Sequence, residues 1–256
     1  MHMSKWSHFL EELECRKQEL GMRSREECWY RGHSNREWPL LPTVLRHGLT
    51  SERLKRVESD LFFEFRSQAH EPFGRRLTGW ETFFRMRHHG VPTRLLDWTE
   101  TVGIALFFAL YEACGAAGGK ACIWLLNPYK LNEDHWGRDL ITPKMLGWDA
   151  DEETYYEYEE LLVEAEPFDW EKPAAIYPDR NDARIFAQRG GFTLHGSCLK
   201  PLESQINDPT VLARVDLPED AIEGAQAFLG LAGIDDYSVY GDLDSLGRKL
   251  TKRHLP

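Results

Sequence analysis

Apolar residues recur at helical spacing along the first half of the chain. Trp6, Phe9, Leu10 and Leu13 share one face of residues 5–20, opposite a charged face. Leu54, Val57, Leu61, Phe62 and Phe65 do the same within Ser51–Gln68. A third helix is predicted over Trp80–His88, stopped by Gly90 and Pro92. Residues Thr101 to Ala113 are apolar nearly all round, the mark of a helix central to the core. The second half reads differently. Ala121–Leu126, Ala174–Tyr177, Gly191–His195 and Val211–Val215 are short apolar runs that predict strands, and two helices close the chain near Ile222–Gly230 and Asp244–Lys252. Cys28-Trp29-Tyr30 suits a strand ending in a turn at Arg31-Gly32, and Ser34–Pro42 is rich in turn formers. Helices first and strands later, without βαβ alternation, predict one α+β domain: a helix-rich N-terminal half packed on a mixed or antiparallel sheet. Residues 1–24 form an N-terminal helix in this division, 25–256 the domain, and 127–172 an acidic insertion of loops plus one helix.

Composition narrows the classes. With 256 residues, 42% hydrophobic and 29% charged, the chain can bury a sizeable core. Its longest apolar run, Val102–Leu110, falls well short of the about 20 residues that a membrane span needs. The polar N-terminus does not read as a secretory signal. Five cysteines without CxxC or Cys/His spacing read as reduced thiols rather than a zinc site, so a cytoplasmic location and no metal are expected. A net charge of −11 argues against nucleic-acid binding over the whole surface, but it is uneven. Asp151–Glu166 carries much of the acid, whereas Arg75–Arg94 is locally basic and leaves room for an anionic ligand.

No phosphate-cradling loop, dinucleotide fingerprint, HExxH or GxSxG is present. What remains is polar side chains set in apolar surroundings, where burial is costly unless they are paired or used. Arg31 presents a planar donor fork beside Gly32, which leaves its backbone open to a ligand; a structural salt bridge is the competing reading. His88 precedes a rigid Gly-Val-Pro turn, and His89 reads as a solvent-facing cap. Thr99 stands before the apolar helix and reads as its N-cap. Asp97, between Leu96 and Trp98, is available to pair with Arg94 or Arg31 or to accept a ligand hydroxyl. Arg184 and Gln188 share a face on a short helix, and Gly190-Gly191 turns into the next strand.

Together these segments resemble the FRG domain, a bacterial and phage family named for a Phe/Tyr-Arg-Gly motif. The resemblance rests on Tyr30-Arg31-Gly32 with Ser34-Asn35, Trp38, Leu40 and Pro42, and on His88, Gly90 and Pro92 through Thr99. It continues in Ala105–Ala109, Arg184-Ile185, Gln188, Gly190, Phe192-Thr193 and, weakly, Gly241–Asp244, spanning about residues 25 to 250. The chain departs from the family pattern at His33 and in Arg87-His88-His89-Gly90, where Gln and Gln-His-Tyr-Gly are frequent.

The family pattern is in turn similar to that of the ADP-ribosyltransferase superfamily, and the likeness implies such a fold. There, an arginine on the first core strand grips NAD, a Ser/Thr element precedes a buried helix, and a Glu or Gln on a later strand completes the site. The likeness implies that Arg31 binds the NAD phosphates or ribose, that Thr99 belongs to the middle motif and that Gln188 lies near the third. With the polar residues of the same segments, the expected site is Tyr30, Arg31, Gly32, Arg94, Trp98, Thr99 and Arg184 for binding and Asp97, His88 and Gln188 for catalysis, Asp97 being the acid placed to stabilise positive charge on the ribose. No Glu occupies the usual catalytic position, and Gln188 cannot act as a base. NAD is then the substrate, a nucleic acid or protein the acceptor, an antitoxin a further partner, and toxicity or phage defence the role. Two other readings stand beside it: a nucleotide- or nucleic-acid-binding module without chemistry, and a nuclease using His88 and Asp97. The active site drawn in this way requires Arg94 and Asp97 to face the same cleft as Arg31.

Overall fold

A computed structural model describes residues 5–22, 26–69, 77–111, 120–137, 139, 148–149, 154–155, 158–163, 171–178 and 188–255. The expected α+β architecture is present. In chain order, α1 (Lys5–Glu19), β1 (Trp29–His33), α2 (Ser51–Gln68), α3 (Gly79–His88), β2 (Leu95–Thr99) and α4 (Val102–Tyr111) lead into β3 (Cys122–Leu126) and α5 (Pro128–Trp136). A two-residue-per-strand hairpin, β4 (Trp148–Asp149) and β5 (Thr154–Tyr155), and α6 (Tyr158–Val163) follow. Then come β6 (Ala174–Ile176), β7 (Gly190–Leu194), α7 (Leu202–Gln205), β8 (Leu212–Asp216), α8 (Ile222–Ala232), α9 (Asp236–Tyr240) and α10 (Leu243–His254). Six strands form one sheet in the order β6-β7-β2-β1-β3-β8, every pair antiparallel.

Strand alternation divides the core. One sheet face carries Tyr30, Ile123, Leu125 and Val215 under α1, α4 and α8. On the same face, Leu95, Phe192 and Leu194 lie under the aromatic residues of α2, α3 and α6, among them Phe62, Trp80, Phe83 and Tyr158. The opposite face, with Trp29, Leu96, Trp98 and Trp124, is closed by Leu131 of α5 and Leu202 of α7. Parts of 127–172 belong to this core. Asn127 caps α5, and Asn132 is fully buried and exchanges hydrogen bonds with the backbone of Ala175 (2.8 Å each). Among the described residues no helix is long and apolar enough to cross a membrane.

Two sequence expectations are corrected. Arg31-Gly32 is not a turn: β1 runs on to His33, pairing with β3 over five residues. Gly32 is needed there because α4 crosses it. A Cβ at this position would lie 1.8 Å from Ala105 O and 2.7 Å from Ala109 N. The open backbone beside Arg31 is thus filled by a helix, not by a ligand. The second correction concerns Leu95–Thr99: Thr99 reads from the sequence as a helix cap, but the segment is the strand beside β1, buried because strands flank it on both sides. The stop of α3 is as expected. Gly90 takes φ +80°, Val91 N–H donates to Met86 O (2.9 Å) and Gly90 N–H to Arg87 O (3.2 Å), the Schellman pattern that needs a residue without Cβ strain.

Candidate functional site

One register pair, Tyr30 with Thr99, joins β1 to β2, whereas five pairs join β1 to β3 and five join β2 to β7. Beyond that pair a side chain takes over from the ladder: Arg31 Nη1 donates to the backbone carbonyl of Asp97 at 2.7 Å. A cavity of about 1130 Å³ opens at this seam, lined by both strands and by α3, α4 and α9.

Its polar part is a charge cluster. Both oxygens of Asp97 accept from Arg87 Nε at 3.0 Å, Arg87 Nη2 binds Asp97 Oδ2, and Arg87 Nη1 donates to Thr43 Oγ1 at 3.0 Å. Arg31 Nη1 stands 3.7 Å from the same carboxylate. Burial alone would raise the Asp97 carboxyl, but the charge and hydrogen bonds of Arg87, with the charge of Arg31, hold it below the usual carboxylate range. Arg31 Nε donates to His33 Nε2 at 3.1 Å, so this imidazole is neutral and carries its proton on Nδ1. Burial, reinforced by Arg31 and Arg46, pushes His33 down to about 3. Arg31 itself is lowered to about 10, first by burial, and stays charged at neutral pH. Arg46, from the 3₁₀ turn Thr43–His47, completes the group at the solvent-exposed rim. Three arginines thus face one carboxylate.

The rest of the wall is aromatic. Phe108, Tyr111 and Tyr240 form one patch, with ring centroids 6.2 Å from Tyr240 to each of the other two. Trp38 is 47% exposed at the rim, edge-on to His33 at 6.4 Å. Gln188 and Thr99 line the cavity too. Thr99 Oγ1 donates to Gln188 O (2.6 Å), and Gln188 Nε2 donates to Val239 O (3.2 Å), which fixes α9 and its Tyr240 against the site.

Of the residues singled out from the sequence, Tyr30, Arg31, Gly32, His88, Asp97, Thr99 and Gln188 line this cavity. Arg184 lies outside the described residues. Trp98 borders the cavity, but its indole is 3% exposed and donates to Thr193 Oγ1 on the other sheet face. Thr99 does not cap α4 directly; its hydroxyl accepts from Thr101 N–H, one residue before the helix. Arg94 is a plain correction. It points away from Asp97 into a buried environment, where Nε meets Glu58 of α2 at 2.6 Å and Nη1 donates to Gly196 O at 2.5 Å. The active site as drawn from the sequence, which required Arg94 beside Arg31 and Asp97, therefore fails, and Arg87 is the cation on Asp97. Arg46 and Arg87 were both missed. A signal existed for Arg87: it and His33 stand where the chain departs from the family pattern, and both hold the Arg31–Asp97 cluster.

A family model for the FRG domain matches residues 26–116. Over this stretch the chain is similar to the FRG domain. That match runs from the start of β1 to the end of α4, and so takes in Arg31, Arg46, Arg87, Asp97 and Thr99. Gln188 and Tyr240 line the same cavity from the later part of the chain, which the match does not cover. No curated protein and no solved structure matches the chain.

Proposed function

We propose that the cleft binds an anionic nucleotide, that NAD is this nucleotide, and that the protein transfers its ADP-ribose to a nucleic acid or protein. The observation that carries the reading is three arginines against one carboxylate in a large, aromatic-walled cavity, within a chain of net charge −11. Such a cavity offers guanidinium donors to phosphates and flat apolar walls to a base. Further support comes from three elements that the ADP-ribosyltransferase likeness implies. Arg31 is on the first strand, Thr99 stands just before the buried helix α4, and Gln188 lies at the entry of β7, all on one cavity. Breaking the bond between nicotinamide and ribose develops positive charge on the sugar, so positioning and a nearby carboxylate supply most of the catalysis. Asp97 is the carboxylate the cavity offers.

A specific observation favours a second reading, binding without turnover. Arg87 and Arg31 already answer the charge of Asp97, which leaves it less able to stabilise a cationic sugar. One experiment separates the two. The pure protein is titrated with NAD by calorimetry, then incubated with NAD and mixed nucleic acids and proteins, with free nicotinamide and the mass of one added ADP-ribose as readouts. Binding with release, lost in Arg31→Ala and in Asp97→Asn while the fold is kept, is the expected result. Binding without release in any mixture selects the second reading. Absence of both binding and release overturns both.

A further inference from the structure

The donors of the three cleft arginines are unequally used. Each guanidinium carries five N–H groups in a planar fork. Arg87 commits Nε, Nη1 and Nη2 to Asp97 and Thr43. Arg31 commits Nε to His33 and Nη1 to Asp97 O, and its Nη2 has no partner among the described residues. Arg46 spends only Nε, on Leu41 O at 2.9 Å, so both of its terminal amines are without a partner among the described residues. That single bond lies at the root of the fork and aims it. The turn beneath is itself tied down, by Leu45 N–H to Pro42 O at 3.1 Å and Val44 N–H to Thr93 O at 3.4 Å. The charges are unequal in the same way. Arg87 and Arg31 share the single charge of Asp97, so three guanidinium groups against one carboxylate leave an excess of two positive charges on one cavity.

We propose that Arg46, with the remaining Nη2 edge of Arg31, is the receptor for a doubly negative phosphate or pyrophosphate group, and that Arg46 makes the cleft select nucleotides over nucleosides. This deepens the nucleotide-binding reading above and rests on it. A planar fork with two adjacent unpaired amines matches two oxygens of one phosphate, a geometry that a lysine ammonium does not reproduce. The excess of two positive charges matches the two negative charges on the pyrophosphate diester of a dinucleotide. Like-charge crowding supplies the drive: burial and then the charge of Arg87 lower the proton affinity of Arg46, and an arriving dianion relieves that repulsion. Arg46 stands at the exposed rim, so a phosphate reaches it without rearrangement of the core.

The test is calorimetric titration of the full chain with NAD, ADP, inorganic pyrophosphate and adenosine, in wild type, Arg46→Gln and Arg46→Lys. ADP and pyrophosphate are expected to bind, with adenosine weaker by about tenfold or more. Arg46→Gln should weaken ADP and pyrophosphate by about tenfold to a hundredfold while leaving adenosine affinity and the melting temperature unchanged. Arg46→Lys should restore only part of the loss. If ADP binds but adenosine binds equally well, or Arg46→Gln binds pyrophosphate as wild type does, the Arg46 receptor is refuted and nucleotide binding survives. If neither NAD nor ADP binds the wild type, the reading it rests on falls as well.

Discussion

Two arginines seven residues apart do different work. Arg87 and Arg94 flank the same turn, yet Arg87 holds the cleft carboxylate and Arg94 is buried against Glu58. Nothing local in Pro92-Thr93-Arg94 tells which face of the molecule the guanidinium will meet. That is set by α2, whose Glu58 is 36 residues away in sequence and 4% exposed. Breaking a buried pair leaves an uncompensated charge, so Arg94→Ala is expected to lower unfolding free energy by about 3–5 kcal/mol in urea. The double variant Arg94→Met with Glu58→Leu should recover most of it, since both charges then go. Nucleotide affinity of the folded fraction should not change in either, and a loss of affinity at retained stability would return Arg94 to the site. Asp97 changes its meaning at this scale as well: it was legible as a functional acid, but its grip on Arg87 makes it first the organiser of a cationic site.

At the scale of elements, amphipathic helices were legible because each carries its stripe within its own sequence. α2 starts and stops at the residues its pattern implies, and Thr50 caps it as a threonine at that place should. β1 and β2 were harder for one shared reason: their burial comes from neighbours distant in the chain. Gly32 punctuates like a turn residue, and only the crossing of α4 shows that it marks a close approach. β2 is hidden in the sequence because Thr99 suits a cap for the helix that follows, while the strand's true partners, Gly190 to Leu194, lie about a hundred residues on. The split between β1 and β2 that makes the cleft was not legible at all, being a failure of pairing rather than a pattern. Gly32→Ala tests the crossing. With 1.8 Å to Ala105 O, the new methyl must lift α4 from β1, at a cost of about 3 kcal/mol in chemical unfolding. Ligand affinity should fall too, because Arg31 rides on the same strand. A variant as stable as wild type would refute the close packing.

At the scale of the whole molecule, two buried histidines tie stability to pH. His33 sits in the cleft, 5% exposed, and His195 lies fully buried at the far end of β7, its backbone N–H donating to Arg94 O at 3.2 Å. Burial, followed by the nearby arginine charges, pushes each down to about 3. Unfolding returns them to about 6.5, so between these values the unfolded chain binds the protons that the folded chain refuses. Stability therefore rises with pH across this window and is lost as pH falls through it. Each histidine contributes a slope of up to about 1.4 kcal/mol per pH unit. Asp97 acts in the same direction at the acid end, since its lowered carboxyl keeps its ion pair until below the usual carboxylate range. Urea unfolding measured from pH 8 to 4.5 should show a plateau near neutrality and a decline below about 6.5, with about two protons taken up per molecule unfolded near pH 5. His33→Gln keeps an acceptor for Arg31 but cannot titrate, so it should remove about one of these protons and about half of the slope. Because the charges of Arg31, Arg46, Arg87 and Asp97 and of the NAD pyrophosphate diester persist over the same range, NAD affinity of the folded protein should stay level while stability falls. A flat stability profile from pH 8 to 4.5, or a slope unchanged in His33→Gln, would mean that these imidazoles are not held neutral by the fold.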